Sequence, residues 1–140
     1  MQATPATTEQ PAYSHPVRVY WEDTDAGGIV FYANYLKFFE RARTEWLRAR
    51  GVNQQRLRDE TGAIFVVTDS QIVWRRPARL DDELQVTVTL AEGGRASFVI
   101  EQQALRRGEL LCEGRIRIGC VDAATLRPRR LPDLVSRAMT

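Results

Sequence analysis

Residues 22–35, Glu22-Asp23-Thr24-Asp25-Ala26-Gly27-Gly28-Ile29-Val30-Phe31-Tyr32-Ala33-Asn34-Tyr35, set three carboxylates, two adjacent glycines and a helix start within fourteen residues. On the N-terminal side, Val17, Val19 and Trp21 alternate with Arg18, Tyr20 and Glu22, the two-residue period of a strand. On the C-terminal side the period changes. Tyr35, Phe39, Ala42, Trp46 and Ala49 fall on one helical face, and Leu36, Phe38 and Leu47 widen it. The pattern predicts a helix over residues 33–50, about 25 Å long. Asn34 is placed to cap its start and Gly51 to end it. So wide an apolar surface belongs to a helix wrapped by other structure.

Outward from that helix the chain reads almost entirely as strand. Asn53 opens a short second helix that Gly62 closes. Residues 64–74 are rich in Val and Ile. Leu84, Val86, Val88 and Leu90 alternate with polar residues, and residues 96–105 and 110–121 follow the same rule. Gly93-Gly94 and Arg107-Gly108 mark turns, and Pro77 closes the segment ending at Trp74. The Asp81-Asp82 connection reads as exposed. Connections this short exclude crossover helices, so the strands pair antiparallel. Beyond Val121 the chain reads as a loop with a basic run, Arg127-Pro128-Arg129-Arg130, and Pro132 limits any final helix. One apolar helix and one antiparallel sheet must bury each other. The expected fold is therefore α+β, a curved five-stranded antiparallel sheet wrapped around one long central helix.

Size and composition narrow the function. The chain's 140 residues suit one domain, and 44% hydrophobic with 27% charged residues is the balance of a soluble globular protein. No apolar run approaches the roughly 18 residues of a membrane span. Residues 1–15 hold no Lys, Arg or apolar core, which argues against a secretory signal and for a disordered tail, so the expected compartment is the cytoplasm. The expected division is this tail, a domain over residues 16–125 and a basic extension over residues 126–140. Net charge is +2, carried by arginine except for Lys37, and no basic stripe interleaved with aromatics points to nucleic acid. Cys112 and Cys120 share one predicted strand about 27 Å apart, beyond disulfide reach, and read as small core residues. With one histidine and no paired cysteines, neither a metal site nor a cofactor is expected.

The order strand, long helix, four strands, together with Glu22-Asp23-Thr24-Asp25-Ala26-Gly27-Gly28-Ile29-Val30-Phe31-Tyr32-Ala33-Asn34-Tyr35 continuing through Leu36-Lys37-Phe38-Phe39-Glu40-Arg41-Ala42-Arg43, resembles the hotdog-fold acyl-CoA thioesterases. The closer likeness is to the 4-hydroxybenzoyl-CoA thioesterase type, and within it to the bacterial branch associated with the Tol-Pal system. Phe65-Val66-Val67 and Trp74-Arg75-Arg76-Pro77-Ala78 also look like this family. The resemblance implies hydrolysis of an acyl-CoA thioester, with short-chain aliphatic or aromatic acyl groups. It implies Asp25 as the catalytic carboxylate and the Tyr32 backbone N–H as the group that polarises the carbonyl. Many members of that branch carry histidine at the Tyr32 position, so an imidazole role is absent here. The resemblance also implies a homodimer or homotetramer, with acyl carrier protein as a further partner.

The residues support that chemistry in their own right. A thioester is electrophilic and its thiolate leaves readily, so one carboxylate as nucleophile or base and oriented N–H donors suffice. Asp beside Gly is equally suited to an Asx-turn. Asp23 is expected in turn or salt-bridge duty, Gly27 in backbone geometry. Gly28, Val30, Asn34, Arg75 and Arg76 are the substrate-contacting candidates, the arginines, with Arg79, for phosphates of coenzyme A or a phosphopantetheine. Glu40 on the helix is the second-choice base. Phe31, Tyr35, Phe38 and Phe39 divide between acyl pocket and core. A hydratase would need a site histidine, and His15 lies in the tail. The alternative from another class is a non-catalytic acyl-CoA or acyl-carrier-protein adaptor linked to envelope or lipid metabolism.

Overall fold

The computed structural model describes residues 13–139. Strand β1 (Tyr13–Arg18) leads through a 3₁₀ turn at Trp21–Asp23 and a second at Tyr32–Asn34 into helix α1 (Tyr35–Ala49). Helix α2 (Gln54–Thr61) follows, then strands β2 (Ala63–Trp74), β3 (Glu83–Gly93), β4 (Ser97–Arg106) and β5 (Glu109–Asp122), and a short helix α3 (Asp133–Ala138). The sheet order is β1-β3-β4-β5-β2, antiparallel throughout, with β1 and β2 at the edges. Register shifts at Val67/Asp69 in β2 and Leu90/Glu92 in β3 bend the sheet, as extra residues in one strand of a pair do.

The core is the predicted one. Tyr35, Phe38, Phe39, Ala42, Trp46 and Leu47 of α1 are buried against Leu84, Val86 and Val88, Phe98 and Ile100, and Ile116 and Ile118 of the sheet. Gly114 makes the closest approach possible. A Cβ there would stand 2.7 Å from Ile72 Cδ1 and 3.3 Å from Phe39 Cε2. One polar side chain joins this layer: buried Gln102 donates from Nε2 to the Phe39 carbonyl (3.0 Å) and the Thr87 carbonyl (3.3 Å). Cys112 and Cys120 are free and buried as expected, and burial pushes the Cys112 thiol up to about 12.

Several boundaries differ from the expectation. Tyr13–His15, assigned to the tail, form half of β1, paired with Thr87, Val88 and Val86 of β3; residues 1–12 lie outside the described residues. An edge strand tolerates Pro16, because its missing N–H would have faced outward. The strand also stops earlier than predicted, so Trp21 lies in the 3₁₀ turn and is 79% exposed. Ala49 is exposed in the last helical turn, and Leu36 is 43% exposed. The helix is thus not wrapped on every side: one face packs on the sheet, and Leu36 and Ala49 are left to solvent. Pro132 does not suppress the final helix but stands at its N-cap, where a proline has no hydrogen bond to lose. Among the described residues no helix is long and apolar enough to cross a membrane.

Candidate active site

The loop between β1 and α1 is built on two aspartates with opposite environments. Asp23 is buried. Its Oδ2 accepts the Tyr20 N–H (2.8 Å), its Oδ1 accepts from Asn34 Nδ2 (2.8 Å), and its carbonyl accepts the Phe31 N–H (2.9 Å). This carboxylate ties the two ends of the loop together, the turn duty expected of it. Asn34 sits at the N-cap position of α1 but makes no cap bond; its side chain reaches back to Asp23 instead.

Asp25 is exposed on the same loop. Its Oδ1 accepts the Gly27 N–H at 2.8 Å, its N–H donates to the Ile29 carbonyl (2.8 Å), and its carbonyl accepts the Gly28 N–H (3.1 Å). The Asx-turn is therefore present, and it fixes one carboxylate oxygen while Oδ2 has no protein partner among the described residues. Gly28 holds φ +83°, a conformation that needs glycine. A Cβ on Gly27 would lie 3.2 Å from Asp25 Oδ1.

The helix start supplies donors. In the turn at Tyr32–Asn34 the first closing bond comes from the Asn34 N–H to the Phe31 carbonyl (2.8 Å). The N–H groups of Tyr32 and Ala33 precede it and are outside the helical ladder. Beside them a cavity of about 280 Å³ is lined by Ile29, Val30, Tyr32, Tyr35, Trp74 and the Arg75–Pro77 segment. Trp74 closes one wall, its indole Nε1 donating to the Tyr32 carbonyl at 2.9 Å and its ring meeting Tyr32 edge-on at 5.6 Å. Tyr35 closes the floor, its hydroxyl accepting the Ala78 N–H at 3.2 Å, and burial raises its phenol further above the usual range.

The β2–β3 connection packs on the loop. Val30 N–H donates to the Ala78 carbonyl (2.9 Å), and Ile29 bridges to Arg79. Its arginines are not equivalent. Arg75 pairs with Glu113, and Arg76 with Glu109 at 3.1 Å. The Arg79 guanidinium has no carboxylate within 4 Å among the described residues, although its N–H donates to Asp82 Oδ2 (2.8 Å). A larger hollow, about 500 Å³, lies among Arg75, Glu101, Glu113 and Arg115, whose charges are paired with one another or with Glu92; it holds neither Asp25 nor the helix start.

Of the predicted site residues, Val30, Tyr32, Arg75 and Arg76 line the cavity, Asp25 and Gly28 stand on the loop beside it, and Asn34 lies buried beneath. Phe38 and Phe39 are core, and Phe31 is exposed at its rim. Glu40 points along α1, accepting from Thr44 Oγ1 at 2.8 Å, away from the loop. Trp74, Ile29 and Pro77 were not expected at the site. A tryptophan ending a strand just before Arg-Arg-Pro was the available signal.

Residues 19–139 match the model of the thioesterase-like superfamily. The chain is 43% identical over 126 residues to the acyl-CoA thioesterase YbgC of Haemophilus influenzae, covering 90% of this chain and 93% of that one. It is 44% identical over 118 residues to the acyl-CoA thioester hydrolase YbgC of Escherichia coli O6:H1, covering 84% and 87%. The solved structure of a "Probable Thioesterase" from Bartonella henselae superposes with a TM-score of 0.82 at 35% identity, over 87% of this chain and all of that one. A five-stranded antiparallel sheet around one helix, a carboxylate loop at the helix start and these likenesses agree: the chain belongs to the thioesterase-like, hotdog-fold superfamily.

Proposed function

We propose that this chain hydrolyses acyl-CoA thioesters, with Asp25 as the reacting carboxylate and the Tyr32 N–H as the donor to the developing oxyanion. The single observation that carries the assignment is the pairing of environments on one loop. Asp23 spends both oxygens on structure, whereas Asp25 commits only Oδ1, to the Gly27 N–H, and keeps Oδ2 open, its own N–H bonded to the carbonyl of Ile29, which lines the cavity. The likeness to acyl-CoA thioesterases supports the substrate class.

In this reading the acyl carbonyl lies at the cavity mouth with its oxygen toward the Tyr32 N–H. Attack by Asp25 gives a mixed anhydride that water then opens; alternatively Asp25 takes a proton from the attacking water. Both routes break the same carbon–sulfur bond and release the free acid and the coenzyme A thiol. Oxyanion donation from a helix start adds the helix dipole to the hydrogen bond. A cavity of about 280 Å³ between Tyr32 and Trp74 favours a short aliphatic or a single-ring acyl group. Arg79, with no ion pair to break, is the readiest contact for a phosphate of coenzyme A or of a carrier's phosphopantetheine, and Arg75 and Arg76 must exchange a carboxylate for it.

The same proposal takes a second copy of the chain as partner. Strand β2 is a 12-residue edge without proline, carrying exposed Val67, Val73 and Trp74, whereas β1 is a 6-residue edge containing Pro16. Long, proline-free, apolar edges are the ones that pair.

The test is thiol release from a panel of acetyl-, butyryl-, octanoyl- and benzoyl-CoA. Wild type should turn over at least one short or aromatic member, and Asp25→Asn should lose about 10²-fold or more in kcat with an unchanged melting temperature. An Asp25→Asn protein that keeps full turnover refutes the assignment, and binding without turnover in the wild type points to the adaptor.

A further inference from the structure

Among the described residues, Gln102 Oε1 is the one buried side-chain polar atom without a hydrogen-bond partner, and Gln102 itself is wholly buried. It stands on β4, the middle strand of the sheet. The other end of its amide is fully engaged. Nε2 donates to the Phe39 carbonyl of α1 at 3.0 Å and to the Thr87 carbonyl of β3 at 3.3 Å. Both partners only accept, so the amide cannot turn round to satisfy its oxygen. An apolar side chain of similar size would avoid the unpaired oxygen. Core stability alone therefore does not account for an amide at this position.

The neighbouring strands are shaped around the contact. Strand β3 pairs with β4 at Val86 and Ala104 and again at Thr89 and Glu101. Between those pairs side chains enter the ladder: Gln103 N–H donates to Thr87 Oγ1 at 3.0 Å, beside the Gln102 bond to the Thr87 carbonyl. On β5 the register partner of Gln102 is Gly114. A Cβ on Gly114 would stand 3.3 Å from Phe39 Cε2, so the missing side chain makes the seat for the Phe39 ring. Phe39 is thus held twice, its carbonyl by Gln102 and its ring at Gly114. The carbonyl is already an acceptor in the helix's own ladder, so the second donor fixes where the helix sits and not whether it forms.

The consequence falls at the helix start. Phe39 lies one turn beyond Tyr35 and roughly 10 Å along the axis from Tyr32. The turn at Tyr32–Asn34 runs into α1 without a break, so a shift of the helix on the sheet is carried to the Tyr32 N–H. The Asp23–Asn34 and Tyr35–Ala78 bonds tie that start to the loop and to the β2–β3 connection, and Gln102 ties the next turn to the middle of the sheet. We propose that Gln102 is a positioning residue for the reaction: by holding the Phe39 carbonyl it sets the seat of α1 on the sheet and, through it, the place of the Tyr32 N–H at the thioester carbonyl. The inference rests on the function proposed above. A misplacement of about 1 Å can lower a rate 10²-fold, so a rate advantage accounts for an amide that core packing does not favour.

The experiment is Gln102→Met, which keeps the length of the side chain and removes both N–H bonds together with the unpaired oxygen. With the acyl-CoA that wild type turns over best, kcat should fall about tenfold or more and KM stay within about twofold, because the loss is in the transition state. The melting temperature should stay close to that of wild type. In ¹H–¹⁵N spectra the Tyr32 and Ala33 amides should move, while those of α3 stay in place. Gln102→Glu is the second variant. Protonated, its O–H donates to the Phe39 carbonyl; ionised, it sets a negative charge against two carbonyls. Burial raises such a carboxyl, so its kcat relative to wild type should climb as pH is lowered from about 8 to about 6. A Gln102→Met protein with wild-type kcat and an unmoved Tyr32 amide overturns the proposal, as does a kcat that falls only in step with the folded fraction. A wild type that turns over no acyl-CoA removes the function proposed above, and the Tyr32 amide then decides alone whether Gln102 seats the helix start.

Discussion

Asp23 and Asp25 are the same residue type two positions apart, and the difference between them is made by contacts that lie far along the chain or point the other way. Asp23 Oδ1 is met by Asn34, eleven residues on, and Oδ2 by the Tyr20 N–H behind it. Replacing Asp23 by Ala strands a buried amide and a backbone donor, each of which costs about 1–3 kcal/mol when unsatisfied. The variant should show a lower urea midpoint and, because the loop also carries Asp25, a fall in kcat. A variant with wild-type stability would mean that Asn34 finds another partner. Residue types and spacing pointed to a carboxylate on this loop, and the resemblance pointed to Asp25. Spacing alone could not tell which oxygen is taken, and Asn34 read as a helix cap because its true partner is not adjacent in sequence. The Asx-turn and the exposed Oδ2 coexist, so the bland and the chemical expectations for Asp25 were not alternatives.

Elements with a regular period were legible, and irregular ones were not. Strands β2 to β5 and helices α1 and α2 follow alternation and helical spacing, and Asn53 caps α2 as expected by accepting the Arg56 N–H at 3.0 Å. The β2–β3 connection carries no period, yet it holds one wall of the candidate site. It is fastened by Asp82, whose Oδ2 accepts the Arg79 N–H (2.8 Å) and Arg106 Nη1 (2.7 Å), while Arg106 also reaches Glu109 at 2.9 Å. Burial alone would raise the Asp82 carboxyl, but the Arg79 N–H and the Arg106 guanidinium together outweigh it and hold the group below its usual value. A carboxyl depressed in the folded state stabilises the protein above its unfolded pKa, about 3.9, and that contribution fades as pH falls through the folded value. Asp82→Asn should therefore melt a few degrees below wild type at pH 7, and the gap should narrow on acidification below about pH 4. Thermal melts across pH 2.5–7 measure it; a gap independent of pH would assign the loss to packing.

At the scale of the whole molecule, the C-terminal segment belongs to the domain. It was expected as a basic extension because four residues, Arg127-Pro128-Arg129-Arg130, dominate its composition, and the two apolar residues that decide its place, Leu131 and Val135, form no longer apolar run. Arg129 N–H donates to the Cys120 carbonyl (3.0 Å) and Leu131 N–H to the Arg95 carbonyl (2.8 Å), which lays the segment along the end of β5. Leu131 and Val135 are buried in the main core, and the Arg50 side chain, stacked on Trp46 at 5.0 Å, reaches the Ala138 carbonyl at 2.6 Å. The chain's last described helix thus closes the C-terminal end of α1, opposite the end that the Asp23–Asn34 bond ties to the loop. Burying two such side chains is worth about 1.5–3 kcal/mol each, a large part of the stability of a domain this size. Deleting residues 131–140 should lower the urea midpoint of unfolding and, by leaving less surface to expose, lower the slope as well. The double substitution Leu131→Ala/Val135→Ala in the full chain should lower the midpoint with the slope kept, which separates lost packing from lost length. A truncated chain that unfolds at the wild-type midpoint would return residues 131–140 to the role of an appended tail.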